Sequence, residues 1–371
     1  MQREYERAQK IDLRLSIIGV GKLGLCAALA FERRGCSVLG CDVNGVLVDQ
    51  INGKRVASSE PHVVEYLAAS QNFKSTTALE EAVQFANLIF IFVDTPNGGG
   101  IAQEAMYDHS KLSEVLYRLN ALGPEVLANK HVVINSTVMP GYIANVGRSL
   151  LLGSSTGTAD GTTSPTLSYN PYFVAQGEIF SGFFNPELLL IGEGSPAVGD
   201  LLERLYSAVC ESSPIFRRMT PEAAEITKLA VNCYITLKIS FANLIGRTIA
   251  CNKQLTNSLI CSGDIADRTQ AADKYKILEA VGQDSRIGGK YLRPGYGFGG
   301  PCFPRDNRAL GYYASTLGVE PVIMKASDEY NCVHRELQVQ HLLEHGAQPG
   351  MFSLSLSLSL SLSLSLSLEC N

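Results

Sequence analysis

No block of lysine or arginine, no apolar N-terminal leader and no metal-type spacing of cysteines occurs in this chain, nor does any segment carry the roughly twenty uninterrupted apolar residues of a membrane helix. Each absence excludes a class of function. Without a basic run there is no electrostatic footprint for a phosphate backbone, and a net charge of −5 with a pI near 5.8 argues further against nucleic acid as a partner. Any anion must therefore be held locally. The segment Met1 to Lys10 is charged and polar, so it cannot serve as a secretory signal, and with no membrane segment expected the reading is a cytoplasmic protein. In that compartment the ten cysteines are expected as free thiols, mostly core filler, with no metal bound.

What is present is an apolar fraction of 46% in 371 residues, enough for two domains or more, each with its own core. From Leu13 a short β-branched run ends in Gly19-Val-Gly-Lys-Leu-Gly24, followed by a helical pattern from Leu25 to Arg34, closed by Gly35, and by a second strand from Ser37 to Asp42. Strand, Gly-x-Gly-x-x-Gly, helix, strand and acidic residue in that order form the dinucleotide-binding fingerprint. Gly19 allows the tight turn, Gly21 lets the backbone approach a pyrophosphate and Gly24 lets the helix pack on the sheet. The phosphates would rest on the helix N-terminus, whose unpaired N–H groups favour anions. Asp42 would accept hydrogen bonds from the adenosine ribose, and a carboxylate there repels a 2′-phosphate, which argues for NAD over NADP.

The pattern continues as a doubly wound sheet. An apolar strand over 86–93 empties into Asp94 and Thr95, and a second over 131–138 carries Ser136 and Thr137, so all three hydroxyls lie at carboxyl ends of strands, where such sheets bind ligands. Capping of the next helix is an equally good reading of Ser136 and Thr137. A Gly/Ser/Thr-rich tract from Gly153 to Ser164 reads as a flexible surface loop. Thr220 as N-cap, Pro221 at N1 and an apolar run to Cys251 predict one long helix of roughly 45 Å, expected to be buried along most of its length, to join two domains and to pack against another subunit. Lys228 and Asn232 share one face of it. A lysine on a helix is ordinarily a solvated charge, but here its neighbours are apolar.

The most unusual stretch is Gly295-Tyr-Gly-Phe-Gly-Gly-Pro-Cys-Phe-Pro-Arg-Asp306. Its glycines permit positive φ and close approach, while Pro301 and Pro304 stiffen it around Cys302, so the loop looks built to present a thiol. A cysteine packed as a small hydrophobe is the alternative. Beyond it, 307–317 and 325–343 read as helices, and residues 353–368 are eight Ser-Leu repeats, a low-complexity tail with nothing evident to pair with.

These motifs resemble the UDP-glucose/GDP-mannose dehydrogenase family, and within it the UDP-glucose 6-dehydrogenases, over about Leu13 to Glu336. The carrying residues are the Cys302 loop, Asp284-Ser-Arg-Ile-Gly288, the Lys228/Asn232 pair, Asn170-Pro171 with Gln176-Gly177, and Ser136 to Pro140. The resemblance implies oxidation of a nucleotide sugar's C6 alcohol to a carboxylate, as UDP-glucose to UDP-glucuronate, using two NAD and one water. By resemblance Cys302 is the nucleophile, forming a thiohemiacetal and then a thioester; Lys228 stabilises oxyanions; Asn232 and Asp306 position and activate water. It further implies Thr95 at the site, Lys22, Leu23, Ser136, Thr137 and Arg305 with Gly19, Gly21, Gly24 and Asp42 at the cofactor, and Phe173, Tyr291, Arg293 and Gly299 with Lys228 and Asn232 at the sugar nucleotide. A homodimer through the long helix is implied as well.

The expected architecture is α/β: a Rossmann-type NAD-binding domain over 11–215, a helical central domain over 216–322 carrying the Cys302 loop, a remnant of the C-terminal UDP-binding domain over 323–350, and the Ser-Leu tail over 351–371. Two departures stand out. Tyr172 occupies the position of a family glutamate, and Gln176 a second acidic position; a phenol with an unperturbed pKa near 10 cannot act as a carboxylate base at neutral pH. The chain also stops soon after entering the family's last domain. Another sugar nucleotide, GDP-mannose or a UDP-N-acetylhexosamine, or a catalytically impaired NAD-binding protein, are the alternatives.

Overall fold

The computed structural model describes residues 13–97, 106–153, 164–251, 274–344, 354–356 and 360–362. The Gly/Ser/Thr tract from 154 to 163 and most of the Ser-Leu repeats lie outside them. The described residues fall into two compact units that divide at Lys228/Leu229.

The first unit is built on one eight-stranded sheet: β1 (Arg14–Ile18), β2 (Ser37–Cys41), β3 (Phe73–Thr76), β4 (Leu88–Ile91), β5 (His131–Ile134), β6 (Thr166–Tyr169), β7 (Leu188–Gly192) and β8 (Ile215–Met219). Their spatial order is β3-β2-β1-β4-β5-β6-β7-β8. Pairing is parallel from β3 through to β6, β7 joins β6 antiparallel through Tyr169 and Gly192, and β8 is parallel to β7. The order reverses between β1 and β4, and the crevice outside the carboxyl ends of strands at such a switch point is where doubly wound sheets take ligands. Central strands such as Leu88–Ile91 are buried throughout, since helices cover both faces. One core packs Leu15, Phe31, Phe90 and Tyr206 on one face, and a second packs Ile89, Leu116, Ile134 and Tyr169 on the other. Strands β3 and β8 carry no strong apolar pattern; β8 is half exposed, as an edge strand can be.

The second unit is helical. The long helix Pro221–Cys251 begins where Thr220 and Pro221 place it, with Thr220 Oγ1 accepting from Ala223 N at 3.3 Å. Its cover among the described residues is partial: Ile226, Tyr234, Phe241 and Leu244 are all more than a third exposed. On length and composition alone it is apolar enough to cross a membrane, but Lys228, Asn232 and Asn243 on it are buried and hydrogen-bonded to polar groups. The helices Lys274–Gln283, Phe303–Thr316 and Val322–Glu344 follow. The helix expected from 307 begins instead at Phe303, because Pro304, which has no N–H to leave unpaired, fits the first turn. The helix expected from 325 begins earlier, at Val322 and Ile323. In the tail, Leu354–Leu356 and Leu360–Leu362 pair antiparallel with each other, which supplies the partner the repeat was expected to lack.

Candidate active site

In the first unit the glycine turn follows β1. Gly19 has φ +88°, and a Cβ there would lie 2.9 Å from the Phe92 carbonyl carbon and oxygen, so only glycine lets the turn pass beside the end of β4. A Cβ on Gly24 would collide with the Gly19 carbonyl oxygen, whereas one on Gly21 would meet nothing within 4 Å. The turn is closed on its protein side and open at Gly21, where a pyrophosphate would approach. Lys22 and Leu23 begin the helix Lys22–Arg33 and leave its first N–H groups facing that opening. Asp42, just past β2, accepts from Val20 N through Oδ2 and from Asn44 N through Oδ1, each at 3.0 Å. It thereby braces the turn it was expected to serve only as a ribose acceptor. An apolar cavity beside it is lined by Ile18, Val43, Thr77, Leu79 and Val115, with Arg118 at its side. Those lining residues come from four segments, and sequence reasoning gave no signal for them.

At the carboxyl ends of β4 and β5, Thr95 Oγ1 donates to Thr137 O at 2.7 Å and Ser136 Oγ donates to Val93 O at 2.6 Å. These hydroxyls tie the two strand ends together rather than cap a helix. Glu225 of the long helix accepts from Gly141 N at 2.6 Å and Ile143 N at 2.9 Å and is fully buried. Burial pushes its carboxyl up to about 7, against the two N–H donors that favour the anion.

Lys228 Nζ donates to the Tyr172 carbonyl at 2.7 Å and stands 4.3 Å from the centre of the half-buried Phe173 ring. A backbone carbonyl and a ring face thus seat this buried ammonium. The Tyr172 side chain turns the other way. Its hydroxyl is 2.5 Å from that of Tyr206, which donates to Asn170 Oδ1, and its ring stacks on Phe92 in the core. Desolvation holds both phenols well above their ordinary pKa. Gln176 accepts from Lys22 Nζ at 3.5 Å.

In the second unit Cys302 is exposed and sits at the N-cap of Phe303–Thr316, so the end of the glycine-rich stretch is a helix start rather than a free loop. Five described cysteines are buried, and desolvation raises their thiols to about 11 or 12: Cys26, Cys36, Cys41, Cys210 and Cys233. Cys302 has a different setting. One turn on, the buried Asp306 accepts from Asn232 Nδ2 at 2.6 Å, and Arg305 Nε lies 3.5 Å from its other oxygen. Asn243 accepts from Gly295 N at 2.8 Å and donates to Tyr296 O at 3.1 Å, while Asn331 accepts from Phe298 N and donates to Phe298 O, both at 2.8 Å. These two carboxamides imitate strand pairing along the glycine-rich stretch. An asparagine inside an apolar helix was the available signal for Asn243. Of the expected sugar contacts, Gly299 is half-buried in this stretch. Tyr291 is exposed with φ +64°, a costly conformation for a bulky residue, and Arg293 lies 5.4 Å from the Tyr275 ring beside an open groove.

Residues 13–210 match the NAD binding domain of the UDP-glucose/GDP-mannose dehydrogenase family, and residues 222–332 match its central domain. The chain belongs to that family. Members are NAD-dependent nucleotide-sugar dehydrogenases, and the glycine turn open at Gly21 fits the diphosphate of NAD. The chain is 31% identical to the GDP-mannose 6-dehydrogenase of Pseudomonas savastanoi pv. phaseolicola over 323 residues, 85% of this chain and 67% of that protein. It is 28% identical to the UDP-glucose 6-dehydrogenase TuaD of Bacillus subtilis (strain 168), over 89% of this chain and 65% of that one. A solved UDP-glucose dehydrogenase from the archaeon Pyrobaculum islandicum superposes with a TM-score of 0.73 at 29% identity, covering 91% of this chain and 72% of its own. The chain therefore spans about two thirds of the length of the curated relatives it matches.

Proposed function

We propose that this member of the family carries out the four-electron oxidation of a nucleotide sugar, UDP-glucose to UDP-glucuronate, in the cytoplasm. The observation that carries the reading is the exposed Cys302 at a helix start whose first-turn carboxylate, Asp306, is buried and bonded to Asn232. NAD, when bound, supplies the acceptor for the hydride lost in each of the two oxidations. The first oxidation turns the C6 alcohol into an aldehyde. The Cys302 thiolate adds to that carbonyl, and the resulting hemithioacetal oxygen carries charge that the Lys228 ammonium stabilises. Loss of the second hydride leaves a thioester. Water, held by Asn232 and Asp306, attacks it; the C–S bond breaks, the carboxylate leaves and the thiol is restored. Lys228 suits an oxyanion role because its buried ammonium is held in place by the Tyr172 carbonyl and the Phe173 ring. Tyr172 takes no part, since its hydroxyl is bonded to Tyr206 in the core.

The greater identity to GDP-mannose 6-dehydrogenases favours GDP-mannose as the second substrate to try. The exposed Ile226, Tyr234, Phe241 and Leu244 on the long helix support a homodimer formed through it. The test is NADH formation with UDP-glucose and GDP-mannose in parallel. Two equivalents of NADH per sugar are expected with one of them, and Cys302→Ser should lower turnover by at least about 10³-fold. Turnover with neither, alongside NAD binding in a calorimeter, would replace the reading with that of a non-catalytic NAD-binding protein.

A further inference from the structure

Glu60 lies between the helices Gly45–Asn52 and Val63–Ala69 and is only 3% exposed. Its Oε2 accepts from Gly177 N and its Oε1 from Ile179 N, both at 2.9 Å, across more than a hundred residues of sequence. Lys22 Nζ stands 3.7 Å from the same Oε2 and also donates to Gln176. A buried carboxylate is costly unless charge and hydrogen bonds match it, and here both are supplied. Glu60 also satisfies the first N–H of the six-residue helix Ile179–Phe184, whose own N-cap Glu178 makes no side-chain bond. Two functional pieces meet on Glu60. Lys22 is the first residue of the helix behind the open glycine turn, and the segment from Tyr172 to Ile179 begins with the carbonyl that seats Lys228.

We propose that Glu60 is a positioning residue of the oxidation: it locks the segment 172–179, and with it the seat of the Lys228 ammonium, to the dinucleotide turn, and it holds Lys22 back from the diphosphate. The inference rests on the nucleotide-sugar dehydrogenase reading above. It predicts an unusual split. Neutralising Glu60 loosens the segment and costs turnover, yet frees Lys22 to pair with the diphosphate.

The test is Glu60→Gln in the full chain, read by NAD calorimetry, by amide hydrogen exchange over residues 172–180, and by kcat at saturating NAD and sugar nucleotide. The expected result is faster exchange in that segment alone, kcat lowered about ten- to a hundredfold, and a dissociation constant for NAD lowered about two- to fivefold. Adding Lys22→Met to Glu60→Gln should cancel the gain in NAD affinity while exchange over residues 172–180 stays fast. Glu60→Asp keeps the charge but reaches one amide, so it should fall between wild type and Glu60→Gln; it also serves if Glu60→Gln does not fold. Unchanged exchange over 172–180, or weaker NAD binding together with exchange raised throughout residues 13–228, overturns the proposal. Absence of turnover in the wild type defeats the enzymatic reading by itself, and the exchange and calorimetry arms still decide whether Glu60 locks the segment.

Discussion

In residues 13–228 the strands β1, β4 and β5 are covered on both faces by side chains such as Leu15, Phe90 and Ile134. In residues 229–344 a small apolar cluster joins Ala242, Leu278 and Leu292, and carboxamides hold the turns. The cofactor half is thus stabilised by non-directional burial, worth about 25 cal/mol per Å² of apolar surface. The thiol half relies on hydrogen bonds whose net contribution is about 1 kcal/mol each, but whose directions fix where the backbone runs. That suits the tasks proposed for them: a cradle for a large dinucleotide must be rigid over many residues, while a nucleophile needs one short stretch held in register.

The strongest way to break this comparison is to empty both cores. Phe90, fully buried and stacked on Phe31 at 5.3 Å, should cost about 3–5 kcal/mol on substitution by alanine, and Leu292→Ala about 2 kcal/mol, the low end for its type, because its cluster is small. Denaturant titration measures both; equal losses would mean that the second half has an apolar core as strong as the first.

Glu225 is a buried charge site inside the apolar half. Its carboxyl is raised from 4.5 to about 7, so the folded state holds a proton that the unfolded state has released between those values. Its contribution is therefore complete below about pH 4.5 and is lost as pH rises through 7, roughly 3 kcal/mol in all at about 1.4 kcal/mol per factor of ten in proton affinity. Thermal midpoints from pH 5 to 8 should fall more steeply for wild type than for Glu225→Gln; parallel slopes would show that Gly141 N and Ile143 N keep the carboxylate ionised.

In the thiol half, Asn331→Leu removes both bonds to the Phe298 backbone, and leaving that buried residue's N–H and C=O unpaired should cost about 1–3 kcal/mol. Iodoacetamide labelling of Cys302 should change while NAD affinity does not. A loss of NAD affinity as large as the change in labelling would mean the two halves are not held independently.

What could be read in advance follows the same division. Gly19 and Gly24 were legible because steric demands at a tight turn leave few residue choices, and the long helix was legible because Thr220 and Pro221 mark its start locally. Cys302 was picked out by its neighbours, yet Pro304 was taken as a loop stiffener when it occupies the first turn of a helix. Glu60, Glu225 and Asn331 left no trace. Their partners are backbone N–H and C=O groups that every residue carries, reached across long stretches of chain, so no residue type or spacing announces them. The exposed face of the long helix is legible only in part for a related reason: an apolar pattern says that a face seeks cover, not what provides it.

The smallest effect is expected at Tyr172, where the two kinds of stabilisation meet. Tyr206 has one hydroxyl proton and gives it to Asn170 Oδ1, so Tyr172 is the donor to Tyr206, and Asn170 is fixed in turn by donating to Leu190 O at 2.8 Å. Tyr172→Phe removes one bond from this chain and leaves Tyr206 its acceptor, a cost of about 1 kcal/mol. Turnover and its pH profile should not move, because the site uses the Tyr172 carbonyl, which the substitution keeps. A fall in kcat beyond about threefold, with NAD binding intact, would put the phenol at the reacting atoms. The same geometry bears on Tyr172→Glu, which would place there the residue type that the family resemblance implies. A carboxylate placed where this ring stacks on Phe92 and packs tilted against Phe183 would be buried among apolar groups, so the substitution should destabilise the first half by more than Tyr172→Phe does, and gain activity only if the side chain swings away from Tyr206.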